Sequence, residues 1–163
     1  MDDDRSAEEQ GLSVLDSMLC FGLYASARAM NRRYTTLLAP WGLTYPQYLV
    51  LIVLWEQHSV TISELADKLM LDLGTTSPLV KRLEERGLLS RERSTSDERR
   101  VLVQPTESGL SMREKLAHIP GCIADSSDIT LNEFTATLST LHTLTSHLST
   151  ASASGTDVIE RQN

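Results

Sequence analysis

The sequence predicts a mainly α fold with a small β-hairpin wing, a winged helix-turn-helix. Three observations predict it. Apolar residues recur every three or four positions toward both ends of the chain, which is the helical period. Between Thr61 and Gly87 two short helices read out, joined by the tight stretch Met70-Leu71-Asp72-Leu73-Gly74. Directly after them, Leu88–Arg93 and Arg100–Gln104 read as strands, with Ser94–Glu98 as the turn of a hairpin.

The elements follow in order. Residues 1–10, MDDDRSAEEQ, are expected to form a disordered acidic tail. From Leu12, the positions Leu15, Leu19, Leu23, Ala27, Met30, Tyr34 and Leu37 lie on one face of a long helix, which Pro40 and Gly42 end near Leu38. Thr44 caps the next helix, with Gln47 as capping-box partner. Tyr48 to Trp55 is apolar nearly all round, which marks a central helix. Thr61 or Ser63 caps a short helix with Ile62, Leu65, Ala66 and Leu69 inward. In TTSPLVKRLEERG, Thr75 or Thr76 is the cap, Pro78 falls in the first turn and Gly87 ends the helix. Another helix starts at Thr106 and runs to about His118, where Pro120-Gly121 breaks or kinks it. A last helix runs from Thr130 to about Ser149, with Leu131, Phe134, Leu138, Leu141, Leu144 and Leu148 inward. The expected organisation is therefore N-terminal helices over 11–60, a winged helix-turn-helix over 61–105, C-terminal helices over 106–149 and a flexible Ser/Ala/Gly-rich tail over 150–163.

With 163 residues the chain suits one compact domain or one subunit of a small oligomer. Its 40% hydrophobic and 5% aromatic content calls for an aliphatic core. No segment reads as a membrane span and the polar N-terminus is no signal peptide, so the expected location is the cytoplasm. Two cysteines are too few for a secreted disulfide scaffold.

The net charge of −7 would argue against nucleic acid, but its distribution does not. Residues 1–10 and 119–163 each carry a net charge of −4, which leaves the middle slightly basic. Within 81–100, seven basic residues face five acidic ones. Local charge decides binding, not the sum. A helix-turn-helix puts the N-terminal residues of its second helix at base edges in the major groove. Thr75, Thr76 and Ser77 lie there, and Lys81 and Arg82 one turn on are suited to phosphate or guanine. The hairpin carries Arg91, Arg93, Arg99 and Arg100, and an arginine at its tip suits a narrow minor groove. Asp97 is placed to fix Arg99 by a charge-assisted pair. The plain alternative is a solvated charged hairpin beside an ordinary exposed helix face. The four hairpin arginines favour double-stranded DNA as partner.

The block LDLGTTSPLVKRLEERGLLSRERSTSDERRVLV resembles the core of the MarR family of winged-helix regulators, above all in its D-x-R wing tip, Asp97 and Arg99. LCFGLYASARAMNRRY followed by LTYPQYLVLIVLWE is similar to the organic hydroperoxide resistance regulators of that family. The resemblance covers about residues 12–148. It implies a MarR-like homodimer whose N- and C-terminal helices form the dimerisation region and whose winged helices read a pseudo-palindromic operator. It also implies repression relieved when an organic hydroperoxide oxidises a cysteine, Cys20, to which Tyr34 and Tyr45 of the partner subunit donate hydrogen bonds.

The chemistry of those residues is consistent. Cys20 and Tyr34 are 14 residues apart, nearly on one helix face but separated by a rise of about 21 Å. They cannot touch within one straight helix, whereas a second, antiparallel copy can bring them together. Phenols stabilise a thiolate by donating to its sulfur, and the thiolate is what attacks a peroxide to give a sulfenic acid. Met18, Leu19, Phe21 and Leu23 would line such a site with apolar surface. A buried structural cysteine among core tyrosines is the other reading of the same residues. Cys122, after Pro120-Gly121 at the expected helix break, is a candidate resolving cysteine in the resemblance, since some members of the family close an intersubunit disulfide there and others form mixed disulfides with small thiols.

His118, Cys122, His142 and His147 suggest no metal site, since Pro120-Gly121 disrupts the first pair. No cofactor is expected. No phosphate loop, nucleophile elbow or carboxylate cluster points to an enzyme. A regulator released by a small aromatic or phenolic ligand, with Cys20 structural, is the alternative within the same fold. A thiol peroxidase is the alternative from another class, and it would leave the basic wing and the second helix without a purpose.

Overall fold

The computed structural model describes residues 13–93 and 100–154. Its elements are α1 (Leu19–Leu38), a 3-10 turn (Ala39–Trp41), α2 (Tyr45–Gln57), β1 (Val60–Thr61), α3 (Ile62–Leu69), α4 (Leu73–Glu85), β2 (Leu89–Arg93), β3 (Val101–Pro105), α5 (Glu107–Leu116), α6 (Ile119–Ser127) and α7 (Leu131–Ser154). The expected class holds: mostly helices, with a small antiparallel sheet behind a helix-turn-helix. The chain divides into two compact units, Met1–Ile123 and Ala124–Asn163. Among the described residues no single helix is long and apolar enough to cross a membrane.

α1 starts later than its apolar period suggests. Ser13 opens a separate turn, its hydroxyl accepting from the Asp16 N–H at 3.2 Å, and Met18 is extended (φ −84°, ψ 116°). The stripe of leucines therefore crosses a break, and Cys20 falls in the first turn of α1 rather than in mid-helix. At the other end the 3-10 turn closes on Gly42, whose φ of 61° is left-handed and suits a residue without Cβ.

α2 is the centre of the first unit, as its all-round apolarity predicts. Val50, Leu51, Leu54 and Tyr48 are buried, and the Gln47 side chain accepts from the Thr44 N–H at 3.0 Å as expected. The largest fully buried side chains are aliphatic: Leu38, Leu51, Leu54, Leu65, Leu83, Leu89, Leu116 and Ile119. Burial of each contributes about 1.5–3 kcal/mol. One polar bond crosses this core, from Trp55 Nε1 to the Gly109 carbonyl at 2.9 Å.

The wing is three strands rather than a hairpin alone, in the order β1-β3-β2. β3 pairs with β2 from Leu89↔Pro105 to Arg93↔Val101, and with β1 through Val60↔Val103 and Thr61↔Leu102. A two-residue strand has no alternation to read, so the sequence shows only a break there. Thr61 then caps α3: its hydroxyl accepts from the Glu64 N–H at 3.2 Å, and the Glu64 carboxylate accepts from the Thr61 N–H at 2.8 Å. The expected turn Ser94–Glu98 lies outside the described residues.

Two helix boundaries also differ from expectation. The break after α5 falls at Ala117–His118, so Pro120-Gly121 lies in the first turn of α6, where proline is tolerated. In the second unit, the α7 stripe predicted to face inward is exposed at Leu131, Phe134, Leu138, Leu141 and Leu148.

Candidate functional site

The sulfur chemistry and the phenols sit at opposite ends of α1. Cys20 is exposed, one residue into the helix. No side chain caps the start of α1 and no acid lies in its first turn, so its backbone N–H groups present a positive end to solvent. One turn on, Tyr24 is exposed. Arg28 donates to its hydroxyl at 2.8 Å and lies over its ring, 5.5 Å from the centroid.

Tyr34, near the C-terminal end of α1, stacks on Tyr45 at the start of α2, with ring centroids 4.2 Å apart. Tyr48 joins them at 6.0 Å from Tyr34, a third phenol that the sequence reading did not assign to the site. Burial pushes all three phenols above their ordinary value, and for Tyr34 the neighbouring Tyr45 and Tyr48 act in the same direction. They stay protonated at physiological pH and so remain hydrogen-bond donors. The structure brings Tyr34 and Tyr45 together and leaves Cys20 at the far end of the same helix. Cys122 is half-buried inside α6, its N–H donating to the His118 carbonyl at 3.1 Å. It therefore occupies regular helix, not the break expected for it. Neither cysteine is in a disulfide, and no group of three or more His, Cys, Asp or Glu among the described residues is placed to hold a metal ion.

The second candidate site is the exposed face of α4. Its cap is Asp72, not Thr75 or Thr76. Asp72 is extended (φ −77°, ψ 160°), and its carboxylate accepts from the Thr75 N–H at 2.7 Å and the Thr75 hydroxyl at 2.8 Å. Those bonds, the hydroxyl's first, hold the Asp72 carboxyl below the usual carboxylate range. Thr76 is wholly buried and donates to the Asp72 carbonyl at 2.9 Å. A side chain with no exposure cannot reach a base edge, so in this conformation Thr76 is a core residue, and the hydroxyl of Thr75 is held by the cap. Starting the helix at Leu73 also moves Pro78 to the sixth helical position, beyond the first turn expected for it. Two threonines beside a proline imitate a helix start.

Ser77, Lys81 and Arg82 remain exposed and border one shallow groove with Pro78, Glu85 and Arg91. Lys81 lies 3.8 Å from Glu85, both well exposed, a pair of little consequence for stability. Two of the four hairpin arginines brace the fold. Arg91 donates from Nε to Glu84 at 2.8 Å, and Arg100 from Nη2 to Glu64 at 3.0 Å. Arg93 is exposed, and Asp97 and Arg99 lie outside the described residues. A further arginine carries no signal in the sequence. Arg86, at the end of α4, donates to the Gly42 carbonyl at 2.7 Å and the Trp41 carbonyl at 2.6 Å.

The MarR family model matches residues 43–101. The organic hydroperoxide resistance transcriptional regulator of Bacillus subtilis is 44% identical over 130 residues, which is 80% of this chain and 88% of that protein. Reduced AbfR bound to DNA, a protein also solved from Staphylococcus epidermidis, superposes with a TM-score of 0.70 at 30% identity, covering 91% of this chain and 99% of that one. Disulfide-formed AbfR matches with a TM-score of 0.61 at 31% identity, over 90% and 97%. The matched family and the Bacillus subtilis relative are regulators of transcription, not enzymes.

Proposed function

Because the chain belongs to the MarR family of transcriptional regulators, we propose that it is a homodimeric repressor of a pseudo-palindromic operator, released when an organic hydroperoxide oxidises Cys20. The observation that carries this reading is the placement of Cys20 against Tyr34 and Tyr45. The thiol is exposed at the uncapped start of α1, and Tyr34, stacked on Tyr45 of α2, lies about 21 Å along that same helix. One chain thus holds the reactive group and its donors where they cannot meet, and a second copy running antiparallel resolves this.

In the assembled site the partner's Tyr34 and the partner's Tyr45 donate to the Cys20 sulfur. The thiolate attacks one peroxide oxygen, the O–O bond breaks, and the leaving alkoxide takes a proton to become the alcohol. Cys20 is left as a sulfenic acid. A second thiol then condenses with it and water departs, giving a disulfide. Cys122 of the partner subunit or a small cellular thiol supplies that sulfur. Lost hydrogen bonds at Tyr34 and Tyr45 bias the dimer toward a state with its winged helices wrongly spaced for the operator. The names of the relatives support the effector class: one is a hydroperoxide resistance regulator, and the other has been solved with a disulfide. The setting in which such a regulator meets its operator is the cytoplasm.

The test is oxidation of the purified dimer with a slight excess of cumene hydroperoxide, followed by operator binding, non-reducing electrophoresis and intact mass. Operator release that reverses with a reductant and is absent from Cys20→Ser is the expected result. Release that persists in Cys20→Ser would overturn it. A covalent dimer lost in Cys122→Ser assigns the second sulfur to the chain itself, and a monomer mass raised by one small thiol assigns it to solution.

A further inference from the structure

Pro78 breaks a rule that the rest of α4 keeps. Asp72 caps the helix, so Pro78 is its sixth residue, past the turn where a missing N–H costs nothing. In a helix interior proline is the least favourable residue. Its nitrogen cannot donate to the carbonyl four residues back, that of Gly74, and both residues are exposed. Water can solvate that carbonyl, but the helix gains nothing in return. The buried side chains of α4 are Thr76, Leu79, Val80 and Leu83, and Pro78 is not among them. A costly residue with no part in packing, on the face of the recognition helix, is the kind of local conflict that a functional contact explains.

Its neighbours indicate which contact. Among the described residues bordering the groove along this face, Pro78 is the one apolar side chain, beside Ser77, Lys81, Arg82, Glu85 and Arg91. A serine hydroxyl both donates and accepts and so discriminates weakly. Lysine and arginine serve phosphate or guanine. None of these recognises the 5-methyl group of thymine, which an apolar surface does. Thr76 is buried and the Thr75 hydroxyl is held by Asp72, so the first turn adds little polar reading.

We propose that Pro78 reads a base: its ring packs against a thymine 5-methyl group in the major groove and sets a sequence preference within each half-site. This rests on the DNA-binding part of the proposed function and not on the redox part.

The test uses the full-length reduced protein and a random-sequence duplex library. Bound duplexes are selected, and each thymine in the selected site is replaced singly by deoxyuridine, which removes the methyl group and nothing else. One replacement per half-site is expected to weaken wild-type binding about fourfold, the equivalent of one buried methyl. Pro78→Ala is expected to bind the thymine and deoxyuridine forms alike, with an unchanged salt dependence because phosphate contacts are untouched. Its thermal midpoint should be equal or higher, since alanine favours the helix. Replacements that affect wild type and Pro78→Ala equally, selected half-sites without thymine, or a fall in the midpoint of Pro78→Ala would overturn the proposal. A wild-type protein that selects no site at all would remove the DNA-binding reading, and this inference with it.

Discussion

Arg86, at the C-terminal end of α4, donates to the backbone carbonyl of Gly42, in the turn between α1 and α2. Its second nitrogen holds the Trp41 carbonyl. That turn separates Tyr34 from Tyr45, so the end of the recognition helix is fastened to the backbone between the two stacked phenols. Arg86→Ala is expected to lower stability by only about 1 kcal/mol, because the contact is exposed. Its larger effect is expected on coupling: reduced protein still binds DNA, but oxidation releases it less completely. Urea unfolding and operator binding before and after oxidation measure the two effects separately. Arg86→Lys should behave like Arg86→Ala, since an ammonium lacks the planar fork that spans two carbonyls.

Gly109→Ala is expected to be far more disruptive. A Cβ at Gly109 would lie 1.9 Å from the Leu88 carbonyl oxygen, a backbone atom that can move only with β2 and α5. The same residue accepts the Trp55 indole bond. Overpacking of this kind should cost at least about 3 kcal/mol, read as a lower urea midpoint with an unchanged slope. An unchanged midpoint would show that the α5–β2 contact is pliable.

Acid should unfasten the helix-turn-helix before the core. Asp72 and Glu64 are both held below the ordinary carboxylate range, Asp72 by Thr75 and Glu64 mainly by the Thr61 cap. A depressed folded value means that their contribution is fully present above the unfolded value of about 4. It is lost as pH falls through the lower folded values. Asp72→Asn keeps a good cap but removes the titration, so its thermal midpoint should fall less steeply than wild type between about pH 5 and 2. Parallel curves for the two proteins would contradict the assignment.

Met70 ends α3 in the left-handed region, at φ 54° and ψ 40°, with its side chain largely exposed. Met70→Gly should therefore stabilise the protein by about 1 kcal/mol, opposite to the usual sign for a glycine. A lowered thermal midpoint would mean that Met70 packs against something beyond the single chain.

The sequence was most legible where a physical signal was long or chemically distinctive. α2 reads as central because it is apolar all round, and it is. The recognition helix and wing follow from their spacing, apart from β1, whose two residues carry no pattern. Periodicity misled at α1, because an apolar stripe continues through the extended Met18 and conceals that Cys20 opens a helix. It also misled at α7, whose leucines mark a face that one chain leaves exposed. Thr76 was misread because the cap of α4 is decided by backbone geometry at Asp72, and a threonine hydroxyl satisfies the inside of a helix as readily as its end. Arg86 had no signal, since its acceptors are backbone carbonyls more than 40 residues away in sequence.

The distance along α1 between Cys20 and Tyr34 sets a rule of arithmetic for the proposed sensor. Each chain contributes half of two different sites, so a solitary chain has no complete one. Sensitivity to peroxide should then follow subunit association, fading on dilution even while every thiol remains reduced. A mixed pair built from Cys20→Ser and Tyr34→Phe chains concentrates both lesions in one site and leaves the other wholly native. The isolated mixed dimer should therefore recover half of the response, although neither parent homodimer has a complete site.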